Sequence, residues 1–150
     1  MELIKGYLAG GMAKFGADEF TKSNNWRTYL KNIFETNFSD NNYKILITNP
    51  NDYYNFIDKK HASEREIMEF DIRRVLSSNF VIVNFNDPKS IGTACELAIA
   101  YKHNIPIIGL CENGEWESLH PWLKEFCTKC FDNKDDLIYY IINYIVWWGG

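Results

Sequence analysis

Short apolar runs alternate with longer amphipathic stretches along the whole chain. Most of the runs are rich in β-branched and aromatic residues, as expected for strands covered on both faces of a sheet. The region from Asn79 to Leu110 shows the alternation most clearly, with an apolar run, a polar loop, a helix from Gly92 to about His103 and a second apolar run. Strand, helix and strand in this order form a right-handed unit in a parallel sheet. The predicted strands are residues 3–9, 43–48, 80–85, 105–110 and, more weakly, 127–131.

Helical periodicity follows the first strand after a polar segment. An apolar stripe with the spacing i, i+3, i+4, i+7 begins at Trp26 and predicts a helix that Asn24 or Asn25 caps. The polar segment before it, residues 13–24, is long enough to form a lid over a pocket. Arg27 lies off the apolar stripe, so we expect it either to reach an anion or to be solvated.

Two later helices have recognisable ends. Ser63 and Glu66 form a capping box, which predicts a helix from there to about Ser78. The last helix is predicted from Lys134 to Trp148, and its apolar residues cover nearly the whole circumference. A helix that is apolar all round is buried by more than its own sheet. We therefore expect a homodimer or a higher homo-oligomer.

The order of these elements predicts a single α/β domain over residues 1–150. We expect a flavodoxin-like or Rossmann-like three-layer fold with a five-stranded, mostly parallel sheet in the order 2-1-3-4-5. That order places the loops after Ala9 and Phe85 side by side, at the carboxyl ends of the first and third strands. Ligands of open α/β sheets bind in such a crevice.

Composition and charge exclude several classes of function. The 150 residues carry a net charge of −4, so we expect no nucleic-acid polymer as a partner. The apolar tract from Leu137 to Trp148 is interrupted by Asn143 and is too short to span a bilayer. Residues 1–9 lack the pattern of a signal peptide. We therefore expect a cytoplasmic protein with no membrane partner.

The four cysteines do not predict a metal site. Cys127 and Cys130 form one C-x-x-C pair, with no second pair and no histidines at ligand spacing. A redox motif needs this pair at the start of a helix, whereas the surrounding sequence predicts a short strand. We expect reduced thiols, no bound metal and no cofactor.

The loops that the fold brings together contain the candidate binding residues. Two glycines after the first strand allow a ligand to approach the backbone closely, and the start of the helix after the third strand attracts anions. Neither G-x-G-x-x-G nor a P-loop is present, so we expect no dinucleotide or nucleoside triphosphate site. A flavodoxin-like electron carrier would likewise lack its phosphate loop. The candidate substrate-binding residues are Gly10, Gly11, Met12, Arg27, Asp87, Ser90 and Gly92.

Four segments carry a family resemblance: YLAGGM from Tyr7, the Trp26-Arg27 pair, FDIRRVLSSNFVIVNF up to Phe85, and SIGTACELAIAY from Ser90. Together they resemble the nucleoside 2-deoxyribosyltransferase superfamily, which includes 2′-deoxynucleoside 5′-monophosphate N-glycosidases. The resemblance covers roughly residues 3–110.

That resemblance implies three catalytic residues. Glu96 would be the nucleophile, Asp71 would serve the base, and Tyr7 would orient the glutamate or the sugar. The residue types suit the chemistry, because a carboxylate below the anomeric carbon stabilises or captures the positive charge that develops on the sugar.

Within the resemblance, the residue six positions before the glutamate separates two activities. Deoxyribosyltransferases tend to have an aspartate there, whereas the monophosphate hydrolases have a serine that binds phosphate; this chain has Ser90. The chain departs from the family at Ala98, where glycine is usual, and at Asn79, where aspartate is usual. We expect Ala98 to narrow the fit between helix and sheet.

We therefore expect cleavage or transfer at the N-glycosidic bond of a 2′-deoxynucleoside or its 5′-monophosphate. The reaction would pass through a glycosyl-enzyme on Glu96, with the monophosphate as the favoured substrate and water as the favoured acceptor. Two alternatives are base exchange between nucleosides and a non-catalytic protein that binds or sequesters a nucleotide. In each case the partner is a small nucleoside or nucleotide.

Overall fold

The computed structural model describes residues 2–11, 16–39, 42–53 and 63–146, with only the backbone for 16–23. Strands and helices alternate through these residues. The strands are β1 (Glu2–Gly10), β2 (Tyr43–Thr48), β3 (Phe80–Asn84), β4 (Ile107–Leu110) and β5 (Lys129–Phe131). The α-helices are α1 (Gly16–Asn32), α2 (Glu64–Leu76), α3 (Ile91–Lys102), α4 (Pro121–Phe126) and α5 (Lys134–Tyr140). Segments of π-helix extend α1 over Ile33–Asn37 and α5 over Ile141–Val146.

The five strands form one sheet in the order β2-β1-β3-β4-β5, as the sequence predicted. Every neighbouring pair is parallel, so the sheet is parallel throughout rather than mostly parallel. In the pairing of β1 with β3, Tyr7 lies opposite Val81 and Gly10 lies opposite Asn84. These two strands therefore end at the same level, and the loops that follow them are neighbours.

The sheet lies between two helical layers, each with its own apolar core. The first core joins α1 and α5 to one face of the sheet; the second joins α2, α3 and α4 to the other. All five residues of β3 are buried, which explains why its sequence shows a continuous apolar run instead of an alternation. Tyr7 belongs to the second core, so its side chain is on the α2 and α3 face.

Helix α1 begins earlier than predicted. The polar segment 13–24 was expected to be a loop that could form a lid, but its residues 16–24 belong to this helix. The helix starts at Gly16, so Asn24 and Asn25 lie inside it and cap nothing. Asn24 is tolerated there because its side chain has partners: it donates to Thr28 Oγ1 at 3.4 Å and accepts from Asn49 Nδ2 at 2.9 Å. Helix α2 is confirmed as predicted, with Ser63 Oγ accepting from Glu66 N at 3.2 Å.

Two departures from the family pattern have simple structural explanations. Ala98 is exposed on α3, so the prediction that it narrows the fit between helix and sheet is wrong. Asn79 leads into β3, where its Oδ1 accepts a hydrogen bond from Lys5 N at 2.8 Å and its own N–H donates to Lys5 O at 2.7 Å. An amide oxygen accepts this bond as a carboxylate oxygen would.

The C-terminal helix packs mainly within its own subunit. Leu137 and Ile141 are fully buried against the sheet, whereas Tyr139 is 67% exposed and Tyr144 is 54% exposed. Two exposed tyrosines on an otherwise apolar helix agree with the predicted oligomer but do not establish it, so the oligomer stays a prediction. Within the described ranges, none of the helices is long and apolar enough to cross a membrane.

Candidate active site

The ends of β1 and β3 form the wall of the site. A Cβ atom added at Gly10 would lie 3.1 Å from Asn84 O, and one added at Gly11 would lie 2.5 Å from Asp87 Cβ. Larger residues at these two positions would push the loops apart. The sequence predicted that the two loops lie side by side, and the close approach of Gly11 to Asp87 confirms it. That they share one ligand crevice stays a prediction. Met12 is outside the described residues.

Tyr7 and Glu96 face each other beneath this wall. Tyr7 is 1% exposed, and Glu96 Oε2 is buried although the residue as a whole is only partly so. Neither Tyr7 Oη nor Glu96 Oε2 has a hydrogen-bond partner of good geometry among the described residues. The two groups are close enough for the hydroxyl to affect the carboxyl electrostatically, yet no well-formed hydrogen bond joins them. A buried hydroxyl and a buried carboxyl side by side, with imperfect hydrogen-bond geometry between them, make this a candidate active site.

Burial changes the acidity of both groups. It raises the pKa of Glu96 to about 7; interaction with the Tyr7 hydroxyl lowers it, the charge of Asp71 raises it and the charge of Arg27 lowers it. Burial also raises the pKa of Tyr7 well above its ordinary value, and the charges of Glu96 and Asp71 add to the rise. A carboxyl with a pKa near 7 changes its charge at neutral pH, which is typical of catalytic groups.

Asp71, on α2, acts electrostatically on Tyr7, Arg27 and Glu96. The side chain is only partly buried. The structure therefore brings together the three residues that the resemblance assigned to catalysis, from β1, α2 and α3.

Arg27 also reaches this group, from the opposite helical layer. Of the two alternatives for Arg27, contact with an anion or solvation, solvation is wrong, because Arg27 is 0% exposed. Its Nη2 donates to Gly10 O at 2.9 Å, and its guanidinium lies 4.7 Å from the centre of the Trp26 ring. Burial lowers the pKa of Arg27 to about 10, so it remains a cation at neutral pH. A buried cation beside Glu96 favours the ionised carboxylate.

Ser90 caps helix α3. Its Oγ accepts a hydrogen bond from Thr93 N at 3.3 Å and shares one with Thr93 Oγ1 at 2.9 Å. The bond from Thr93 N uses the oxygen as an acceptor, so the hydroxyl proton of Ser90 is left for Thr93 Oγ1 or for a ligand. A Cβ atom added at Gly92 would meet no atom of the described residues within 4 Å, so the side of the helix terminus that Gly92 faces is open to them.

Sequence reasoning missed a group of asparagines at the carboxyl end of β2. Asn49 and Asn51 are 1% and 5% exposed, and both donate to Asn24 Oδ1, at 2.9 and 3.2 Å. The turn sequence that contains them predicts a reversal of the chain but carries no sign that its side chains turn inward. Asn51 Oδ1 is buried without a hydrogen-bond partner among the described residues.

Comparison with known proteins gives a clear result only at the level of structure. No protein-family model matches the sequence, and no curated protein matches it significantly. A 2-deoxyribosyltransferase from Bacillus psychrosaccharolyticus is 15% identical, with a TM-score of 0.63 over 93% of this chain and 91% of that one. A 2-desoxiribosyltransferase from Leishmania mexicana is 15% identical, with a TM-score of 0.64 over 94% of this chain and 98% of that one. The chain has the 2-deoxyribosyltransferase fold.

A third match shares this fold but is a different kind of enzyme. A CMP N-glycosidase from Clostridium botulinum is 13% identical, with a TM-score of 0.55 over 93% of this chain and 98% of that one. Identities this low establish a shared architecture. The 2-deoxyribosyltransferase fold explains why Tyr7, Asp71 and Glu96 meet at the carboxyl edge of the sheet, but the chemistry must be argued from the side chains themselves.

Proposed function

We propose that this protein cleaves the N-glycosidic bond of a 2′-deoxynucleoside 5′-monophosphate, with Glu96 as nucleophile and water as acceptor. One observation carries the proposal: the Glu96 carboxyl is buried next to the Tyr7 hydroxyl, and both have a polar atom without a well-formed partner. The enzymatic nature of the structural neighbours supports it, since their names describe deoxyribosyl transfer and N-glycosidic cleavage.

In the first step, the ionised Glu96 carboxylate attacks the anomeric carbon, and the bond between that carbon and the base breaks. The electron pair of this bond leaves with the base, and Asp71 supplies the proton or hydrogen bond that the leaving base needs. In the second step, water attacks the anomeric carbon and the bond from that carbon to Glu96 breaks, which releases the sugar and returns Glu96 to its carboxylate form. The proton that the water loses replaces the one that Asp71 gave to the base. The reaction uses these side chains and no cofactor.

Tyr7 and Arg27 prepare the nucleophile. The Tyr7 hydroxyl and the buried Arg27 guanidinium both lower the pKa of Glu96, against the effect of burial. Without them the carboxyl would be protonated at neutral pH and could not attack.

The preference for a 5′-phosphate follows from the start of α3. Ser90 has a hydroxyl proton that it can donate to a ligand, and the open space at Gly92 lets an anion approach the backbone N–H groups of the helix terminus. Each charge-assisted hydrogen bond to phosphate is worth about 1.5–3 kcal/mol. Two such bonds should favour the monophosphate over the nucleoside by at least about tenfold in kcat/KM.

A second candidate function is transfer of the deoxyribosyl group to another base. It is favoured by two of the structural neighbours, which are deoxyribosyltransferases, and the same glycosyl-enzyme would serve it. A protein that only sequesters a nucleotide is the third possibility; its site would not need a buried carboxylate beneath the sugar.

The decisive experiment compares the turnover of nucleosides with that of their 5′-monophosphates. The wild type is incubated with the four deoxynucleosides and with their 5′-monophosphates, alone and with a second free base, and the products are separated by chromatography. We expect free base from the monophosphates without need of an acceptor. Preference for the bare nucleoside, together with dependence on an acceptor base, would establish the transferase instead, and no turnover of any substrate would leave only sequestration.

Variants at Ser90 test the phosphate site without disturbing the helix. Asp and Thr both cap helices, so Ser90→Asp and Ser90→Thr keep the cap, but only the aspartate places a negative charge where the phosphate would lie. Ser90→Asp should reverse the preference in favour of the nucleoside, whereas Ser90→Thr should keep it. Equal preferences in the two variants would show that Ser90 is a helix cap and nothing more.

Assembly forms a separate part of the proposal. We expect the exposed tyrosines of the C-terminal helix, Tyr139 and Tyr144, to lie in an interface between subunits. Sedimentation at micromolar concentration should then show no major monomer. A single 17.6 kDa species would mean that the helix completes its burial within one chain.

A further inference from the structure

A second cavity lies at the carboxyl edge of the sheet, between α1 and α5. It has a volume of about 610 Å³, which is within the range of small-molecule sites. None of the residues assigned to catalysis lines it; they lie on the α2 and α3 face. Its lining includes Asn25, Trp26, Tyr29, Asn84, Asn86 and Lys134.

The walls of this cavity hold buried polar groups that lack partners. Trp26 is 6% exposed, and its indole Nε1 has no hydrogen-bond partner among the described residues. Asn84, the last residue of β3, is also 6% exposed, and its side-chain amide makes no hydrogen bond to any other described residue. The Trp26 nitrogen is enclosed, and leaving it without a partner costs about 1–3 kcal/mol. The Asn84 amide keeps some accessible surface, so a ligand in the cavity can supply the hydrogen bonds that it lacks.

The charges around the cavity show what kind of ligand it takes. Lys134 Nζ donates to both carboxylate oxygens of Glu112, at 2.8 and 2.9 Å, so its positive charge is already paired. Asp135 adds a negative charge to the same rim. An anion such as a phosphate would find no free cation among the described residues of the lining, and a neutral ligand fits better.

The remaining wall is aromatic. Tyr29 is 44% exposed and lies with Trp26 on α1, while Lys134 Nζ is 5.9 Å from the centre of the Tyr29 ring. Aromatic side chains stack on planar rings, and an asparagine amide recognises an adjacent donor and acceptor on a base edge. Asn25 and Asn86 add two further amides at the rim.

We propose that this cavity binds a neutral planar heterocycle with adjacent hydrogen-bond donors and acceptors, namely a free nucleobase. The amide of Asn84 pairs with the edge of the base, and Tyr29 stacks on its face. The site does not depend on the proposed function, although a free base is also the product of that reaction. It is a second binding site on the opposite helical layer from Glu96.

The test measures binding of adenine, cytosine, thymine and hypoxanthine, each as the free base, by equilibrium dialysis up to about 1 mM. Two sets of variants separate the two sites. Asn84→Leu and the double variant Asn25→Ala/Tyr29→Ala change the cavity, and Asp71→Ala changes the catalytic site. Because Asn84 is buried, its replacement could weaken β3; Asn25 and Tyr29 are exposed, so the double variant keeps the test valid. Thermal unfolding checks that each variant is folded.

We expect at least one base to bind wild type and Asp71→Ala with dissociation constants that agree within about twofold. Its dissociation constant for both cavity variants should be at least about tenfold higher, which is the size of effect that the loss of one stacking contact predicts. Absence of binding by all four bases would overturn the proposal. Binding that Asp71→Ala abolishes would also overturn it, since the base would then occupy the catalytic site. Binding that survives in the cavity variants would place the base elsewhere.

Discussion

Replacing Glu96 by glutamine should stabilise the protein at alkaline pH while abolishing catalysis. In the folded protein, burial holds the pKa of Glu96 at about 7, against an ordinary value of 4.5. The folded state therefore binds this proton more tightly than the unfolded chain does. Such a group stabilises the fold fully below about pH 4.5, and that contribution is lost as the pH rises through about 7. Glutamine has no proton to lose, so its contribution does not change with pH.

The size of the effect follows from the two pKa values. Each pKa unit corresponds to about 1.36 kcal/mol, so ionising Glu96 in the folded protein costs about 3 kcal/mol at pH 8 and about 1 kcal/mol at pH 5. The stability of Glu96→Gln relative to wild type should thus rise by about 2 kcal/mol between these two conditions. For a chain of this size, that difference corresponds to roughly 4–8 °C in the melting temperature. Contributions of the amide that do not depend on pH cancel in this comparison.

The assay is urea unfolding of wild type and Glu96→Gln at both pH values. Glu125→Gln serves as the matched control, because Glu125 is exposed on α4 and the same chemical change there should leave the stability difference flat. A stability difference for Glu96→Gln that stays constant with pH would refute the burial of this carboxyl. Base release that persists in Glu96→Gln would refute its role as nucleophile.

Three further predictions test other parts of the site. Tyr7→Phe removes the hydroxyl that lowers the pKa of Glu96, so the acidic limb of the pH profile of kcat/KM, expected near pH 7, should move to higher pH. A limb that stays in place would show that Tyr7 does not affect the pKa of Glu96. Gly92→Ala should stabilise α3 by up to about 1 kcal/mol, because the added Cβ meets no atom of the described residues within 4 Å. The same change should raise KM for the monophosphate, and an unchanged KM would place the phosphate elsewhere. Ellman's reagent should modify one thiol per native chain quickly, at the exposed Cys95, because burial raises the pKa of the other three thiols, that of Cys127 to about 12; a second fast thiol would contradict their burial.

The sequence was sufficient to predict the sheet and to name three side chains that the structure brings together. The alternation of strands and helices predicts a parallel sheet whose crossovers share one hand. The order 2-1-3-4-5 is one of the common orders of such sheets. The resemblance to known segments supplied Tyr7, Asp71 and Glu96, and the strand order then placed β1 and β3 side by side. The capping box at Ser63 is a local signal, and the structure confirms it for that reason.

Features that depend on tertiary neighbours were missed. Arg27 lies off the apolar stripe of α1, and no local pattern shows that its guanidinium is enclosed by Gly10 and Trp26. The early start of α1 was hidden by Asn24 and Asn25, which usually cap helices. In this fold Asn24 instead hydrogen-bonds to residues after β2, which are about 25 positions away in the sequence.

The position of β1 determines when the candidate site can assemble during synthesis. This strand is made first but lies inside the sheet, and its bonds to the start of β3 join residues 74 positions apart. A sheet in which every pair is parallel contains no hairpin, so each pairing needs a crossover and none forms locally. Such long-range pairing slows folding. A nascent chain therefore carries an unpaired apolar edge on β1 until β3 has emerged, and Tyr7 meets Glu96 only after α3 follows it.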